Sequence, residues 1–207
     1  MKGHLTFSYR FNGADVISSH GYHRVPTWAP PSQYGYGPYG YMPSPPPPLP
    51  GYRYGDEELM KKECSQTGNQ NLCLFCLESD PISYQTDRAG FVSITIHCLE
   101  SQLDILINDV TSLSMKGEGE EIENVLEDCN VNFSIAKLQL NEAKDKLVTL
   151  NNEKAFGLVK TSVSYLQTCR GNLQKIKFNE SHDVYDDIDV YVDLSSVAKT
   201  LIHRLHK

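Results

Sequence analysis

The sequence predicts an all-α fold: an up-down four-helix bundle, preceded by a short helical hairpin and by a disordered Pro/Tyr/Gly-rich N-terminal tail. Three observations predict it. Apolar residues recur at alternating spacings of four and three through long windows after residue 88, which lines them up on one face of a helix. The last proline is Pro81, so no helix beyond it is kinked by that route. The breaks between windows are short, which makes successive helices antiparallel neighbours.

The tail comes first. Of 207 residues with 11 Pro, 12 Tyr and 14 Gly, ten Pro lie between Pro26 and Pro50, and eight Tyr and eight Gly lie in residues 1–55. Proline removes backbone donors, glycine raises the entropy cost of ordering, and few aliphatic side chains are present to bury. Residues 1–55 are therefore set apart as a tail and 56–207 as the domain. The run from Pro43 to Pro50 favours extended polyproline II. Ser44 followed by four prolines resembles the repeat of plant cell-wall extensins, in which prolines are hydroxylated and glycosylated and tyrosines crosslink. Residues 1–25 hold no apolar core of 7–15 residues, so no secretory signal is legible there.

The domain begins with two short helical segments, Asp56–Cys64 and Asn71–Ser79, around Ser65–Asn69. Helices this short are marginal alone. Cys64 and Cys73 are well placed to hold them.

The first bundle window carries Val92, Ile96, Leu99, Leu103, Leu106, Val110 and Leu113. The second carries Ile122, Leu126, Cys129, Phe133, Ala136, Leu140, Ala143, Leu147 and Leu150. The third has Val159, Val163, Leu166 and Leu173, and the fourth Val190, Leu194, Val197, Leu201 and Leu205. Gly117 suits a helix C-terminal cap and Asn151 or Asn152 an N-cap. The stretch Asn179–Asp189 reads as a longer acidic loop. The five residues Asp189–Asp193 alternate, but too briefly for a strand.

Charge narrows the function. The chain has 19 Lys and Arg against 26 Asp and Glu, net −7. The tail holds four basic residues and one acidic, leaving 15 basic and 25 acidic in the domain, net −10. A general nucleic-acid binder needs a basic face instead. No uninterrupted apolar run approaches the ~20 residues of a membrane span, so an integral membrane protein is not expected.

The six cysteines all follow residue 63. Cys129 falls on the inward stripe of the second helix and Cys169 on the third, so a disulfide there would tie neighbouring helices. Bridges spanning Cys64 to Cys73 and Cys129 to Cys169 would each stabilise by roughly 2.5–4 kcal/mol through loop entropy. Cys73 and Cys76 also have C-x-x-C spacing. Zinc would need two further ligands in register, and thioredoxin-like chemistry a βαβ setting; neither is present in the pattern. Cys76 and Cys98 are expected as buried thiols behaving as small apolar residues, with their mutual pairing left open.

Other motifs are weaker. His203 and His206 read as solvated basic residues near a helix C-terminus. The carboxylates of His182–Asp189 lack the alternation and closing Glu of an EF-hand loop. Asn132-Phe-Ser134 and Asn179-Glu-Ser181 fit the N-glycosylation sequon. No phosphate-binding Gly-rich loop and no Gly-x-Ser-x-Gly nucleophile motif is found.

The segments Cys64–Cys73, Leu77-Glu-Ser-Asp-Pro81, Leu126–Cys129, Ala136–Leu147, Thr168-Cys169 and Leu194–Leu205 resemble the plant invertase and pectin methylesterase inhibitor family over about residues 56–207. The resemblance implies a hairpin closed by a Cys64–Cys73 disulfide and a bundle closed by Cys129–Cys169, with Cys76 and Cys98 outside that pattern. It implies a secreted glycoprotein of the apoplast or cell wall, or of the vacuole, without catalysis or cofactor. Such a protein binds its target enzyme non-covalently and blocks the cleft. The target is pectin methylesterase or, alternatively, acid invertase; a non-inhibitory cell-wall interaction protein is the remaining reading. The family bundle also occurs as a pro-region of pectin methylesterase, and here no catalytic domain follows Lys207, so the stand-alone form is expected. Invertase inhibitors are expected to present a Pro-Lys-Phe loop; here Lys177 and Phe178 match and Ile176 replaces Pro. The wall-like tail favours pectin methylesterase.

Overall fold

A computed structural model describes residues 9–11, 14–16, 55–116, 119–178 and 182–205. The expectation of an unfolded tail falls mostly outside them. Chain contacts divide the molecule between Tyr52 and Arg53. In the first unit, β1 (Tyr9–Phe11) and β2 (Ala14–Val16) pair antiparallel, with Tyr9 opposite Val16 and Phe11 opposite Ala14. The sequence between them is Asn12-Gly13, the dipeptide most favoured in two-residue hairpin turns.

The second unit is all helix. A hairpin, α1 (Gly55–Cys64) and α2 (Gln70–Glu78), leads through a 3-10 turn (Pro81–Gln85) into four long helices: α3 (Arg88–Ser114), α4 (Glu120–Val148), α5 (Asn152–Lys175) and α6 (His182–Arg204). α3 packs on α4 and α6, and α5 packs on the same two, so the four form a closed square around one core.

Three of these helices, α2, α3 and α5, start at a side-chain cap. Asn69 accepts from the Leu72 amide, Asp87 from Gly90 and Asn151 from Lys154, each satisfying an orphan N–H of a first turn. Gly119 precedes α4 with φ of 123°, a conformation that glycine adopts without a Cβ clash. Glu120, Glu121 and Glu123 then complement the positive end of the α4 dipole.

The stripes meet in the core. Val92, Ile96, Leu99, Leu103, Leu106 and Val110 of α3 and Leu126, Cys129, Phe133, Ala136, Leu140 and Ala143 of α4 are buried. α5 and α6 face them with Val159, Leu166, Leu173, Ile188, Tyr191, Leu194 and Val197, and full burial of a large apolar side chain stabilises by roughly 1.5–3 kcal/mol. α3 also meets the length and composition of a membrane span, against the expectation above. Its Ser, Thr, Gln and Asn are uncharged, so composition alone passes; yet 61% of its most apolar stretch is buried inside the bundle.

Three readings need correction. The acidic stretch from His182 to Asp189 is the start of α6 rather than a loop. Val184, Ile188 and Tyr191 are buried, continuing the apolar stripe backward from Leu194; Asp183, Asp186 and Asp189 are not buried, while Asp187 is half-buried against Gln102 of α3. Val190 and Val163 are only half-buried, because Tyr191 and Ser162 take the inward positions. Leu150 is 82% exposed; α4 has already ended, and φ at Leu150 is 56°.

Candidate functional site: bridges, hairpin junction and helix ends

The cysteines sit where the helix faces put them. Cys64 ends α1 and Cys73 lies in the first turns of α2; they are joined, with Cα atoms 5.5 Å apart. Cys129 and Cys169, both fully buried, join α4 to α5 with Cα atoms 4.8 Å apart. Cys76 and Cys98 are not thiols: they form a third bridge from α2 to α3, with Cα atoms 6.1 Å apart. No free cysteine remains. The sequence signal for this third bridge was the three-residue step from Cys73 to Cys76. It places both on the buried face of α2, where α3 presents Cys98 beside Leu99.

The hairpin is seated on the bundle by charge as well. Glu63, in the last turn of α1, is 1% exposed. It accepts from Arg88 Nε at 2.9 Å, at the start of α3, and from Arg204 Nε at 2.6 Å, at the end of α6. The Arg204 hydrogen bond, followed by the charges of Arg204 and Arg88, holds the Glu63 carboxyl below its ordinary range despite burial. Asn69 adds a bond to Asp193 of α6 at 3.2 Å. A groove of about 820 Å³ opens at this end of the bundle, lined by Leu59, Leu147, Val148, Leu150 and Leu205 among others.

A second, half-buried carboxylate has opposite surroundings. Asp187 of α6 accepts from the amide of Gln102 on α3 at 2.9 Å. Burial first, then the charges of Asp109 and Asp183, push its carboxyl up to about 6. Nearby, the Tyr191 hydroxyl donates to Ser162 Oγ at 2.6 Å and Ser162 donates to the Val159 carbonyl at 2.8 Å, tying α6 to α5. Burial raises the Tyr191 phenol far above its ordinary value.

Lys177 and Phe178 end α5. The Phe178 amide donates to the Leu173 carbonyl at 3.1 Å and the Lys177 amide to Gln174 at 3.1 Å. That is a Schellman closure, in which the residue after the cap takes a left-handed conformation and the next one packs back on the helix. Lys177 has φ of 53° and Phe178 is 6% exposed. The expected partner contact is therefore corrected for Phe178: its ring seals the helix end. Lys177 is exposed.

Asn132 lies in the middle of α4, half-buried beside fully buried Phe133. Asn179, His206 and the Gly117 cap lie outside the described residues. Among the described residues no group of three His, Cys, Asp or Glu is placed to hold a metal ion.

A small bridged helical hairpin on a four-helix bundle defines a helical binding module. Residues 58–201 match the family described as plant invertase/pectin methylesterase inhibitor. The chain belongs to that family. It is 28% identical over 94 residues to a pectinesterase inhibitor of Actinidia deliciosa, covering 45% of this chain and 51% of that protein. The chain thus spans about half the length of that relative. Its fold is similar to the crystal structure of a mutant form of a pectin methylesterase inhibitor from Arabidopsis, with a TM-score of 0.60 and 16% identity over 70% of this chain and 95% of the other. A second crystal structure, of a pectin methylesterase inhibitor from Arabidopsis thaliana, aligns with a TM-score of 0.55 and 16% identity over 72% and 97%.

Proposed function

We propose that this protein is a proteinaceous inhibitor that binds a pectin methylesterase non-covalently and covers its substrate cleft, acting as a ligand of the enzyme and not as a catalyst. The family match over residues 58–201 carries this reading, and the inhibitor from Actinidia deliciosa supports the choice of target. The unit that acts is 56–207. Cys64–Cys73 and Cys129–Cys169 hold it in shape, and Asn179 is a better glycan acceptor than Asn132, which lies half-buried within α4. A cell-wall or apoplastic setting follows, where disulfides persist.

Inhibition of acid invertase is the alternative. Its one sequence feature was Lys177-Phe178, and the burial of Phe178 leaves only Lys177 to meet a partner.

The test is a titration of the purified full chain against a pectin methylesterase and an acid invertase between pH 5 and 7. Loss of esterase activity near one-to-one stoichiometry, with invertase unaffected, is the expected outcome. Loss of invertase activity alone selects the alternative. No effect on either enzyme selects a non-inhibitory wall protein.

A further inference from the structure

Two of the three bridges do not hold the hairpin to the bundle. Cys64–Cys73 closes the hairpin on itself, and Cys129–Cys169 lies wholly within the bundle. Only Cys76–Cys98 crosses the junction covalently. The Glu63 carboxylate crosses it ionically, gripped by Arg88 and Arg204 from the neighbouring bundle helices α3 and α6. The two ties lie on different hairpin helices, α2 and α1, so neither substitutes for the other in position.

Helices of 10 and 9 residues do not persist alone. Without both ties, what remains to hold the hairpin down is the exposed Asn69–Asp193 hydrogen bond and the apolar contacts of residues such as Met60, Leu72 and Leu77. The nine-residue connection from Ser79 to Asp87 would then let it swing while remaining attached.

We propose that Cys76–Cys98 and the Glu63–Arg88–Arg204 cluster form a two-part latch: either part alone keeps the hairpin seated, and loss of both releases it. The bridge makes the latch redox-sensitive. A dithiol's thiolate attacks one bridge sulfur and forms a mixed disulfide; its second thiolate then expels the protein sulfur. The protein gains two electrons and two protons as two thiols, and the dithiol leaves as a disulfide. Cys76 is fully buried and Cys98 is 4% exposed, so the seated hairpin keeps the bridge away from that attack. This holds whatever enzyme the domain binds.

Four full-length proteins test it: wild type, Glu63→Gln, Cys76→Ser/Cys98→Ser and the triple variant. Hydrogen exchange of residues 55–78 at pH 6 is the readout, with α4 and α5 as the internal reference. With the bridge present, Glu63→Gln should speed hairpin exchange by less than about 10-fold; with the bridge absent, the same change should speed it by about 100-fold or more. The α4 and α5 amides should keep wild-type rates. An equal effect of Glu63→Gln in both backgrounds overturns the proposal, as does release by either loss alone. If the triple variant does not fold, dithiothreitol replaces the cysteine substitutions, with alkylation mapping which bridges have opened. Reduction of Cys76–Cys98 should then release the hairpin in Glu63→Gln but not in wild type; release in both, or in neither, overturns it.

Discussion

Glu63 and Asp187 are both shielded carboxylates that join neighbouring helices, Glu63 the hairpin to the bundle and Asp187 two helices within it, and their pKa values shift in opposite directions. Glu63 faces two guanidinium groups and is held below its ordinary range. Asp187 is part-buried, accepts from the neutral amide of Gln102, faces the charges of Asp109 and Asp183 and hydrogen-bonds with the Asp109 carboxyl, and is pushed up to about 6. Burial penalises the charged form in both; the neighbouring charges decide whether that penalty is offset. The hairpin junction is therefore built to keep a charge, and the α3–α6 seam to keep a proton.

Removing the carboxylate from the first region gives the largest expected effect. Glu63→Ala leaves Arg88 and Arg204 facing each other across the hairpin junction. Breaking a buried ion pair from one side costs roughly 3–5 kcal/mol. Because the Arg88 and Arg204 side chains are 37% and 21% exposed and can turn to water, the lower end applies, about 3 kcal/mol. That corresponds to a melting temperature about 10 °C lower for a domain of this size. A denaturation midpoint unchanged by Glu63→Ala would show that the ion cluster is only ornamental to the junction.

The two regions also differ in how far the sequence disclosed them. The α3 and α4 stripes were legible because four-three spacing of Leu, Ile and Val has one interpretation over 25 residues. The start of α6 was not. His182–Asp189 is rich in Asp, and composition outweighed the spacing of Val184, Ile188 and Tyr191. Glu63 was invisible for a different reason. Its partners lie 25 and 141 residues away, and a single sequence does not report such a meeting. Cys76–Cys98 lies between these cases, since the helix face of Cys76 was readable but its approach to α3 was not. Lys177-Phe178 was open to two readings, a partner contact or a plain helix end, and the left-handed φ of Lys177 with the burial of Phe178 shows the helix end.

A pH series sharpens the contrast. Unfolded, Asp187 releases its proton near the ordinary value of 3.8; folded, it retains it to about 6. Its contribution is thus fully present below the unfolded value and is lost as pH rises through about 6. Glu63 has the opposite sign: its contribution is present above its unfolded value and falls away as pH drops through the lower folded one. Between pH 4 and 7 the Asp187 contribution governs, so wild-type stability should fall by about 2 kcal/mol across that window from this group. Asp187→Asn keeps an acceptor for Gln102 and carries no charge. It should flatten this part of the profile and exceed wild type at pH 7. Urea midpoints at pH 4.5 and 7 measure it; parallel profiles for the two proteins would mean that Asp187 does not hold its proton in the seam.

The smallest expected effect isolates what neither carboxylate contains, which is backbone strain without burial or charge. The helix end at Leu150 has the same closure as Lys177: the Leu150 amide donates to Leu147 at 3.0 Å and the Asn151 amide to Lys146 at 2.8 Å. A side chain in this left-handed conformation costs roughly 1–2 kcal/mol, and glycine avoids the cost. Leu150 is 82% exposed, so deleting its side chain forfeits little packing. Glycine's freer unfolded chain takes back part of the gain. Leu150→Gly should therefore stabilise by about 0.5–1 kcal/mol, equally at pH 4.5 and 7, since no titrating group is involved. A loss of stability instead would show that the exposed leucine packs on the rim of the groove at this end of the bundle, and that the strain is held there by contact.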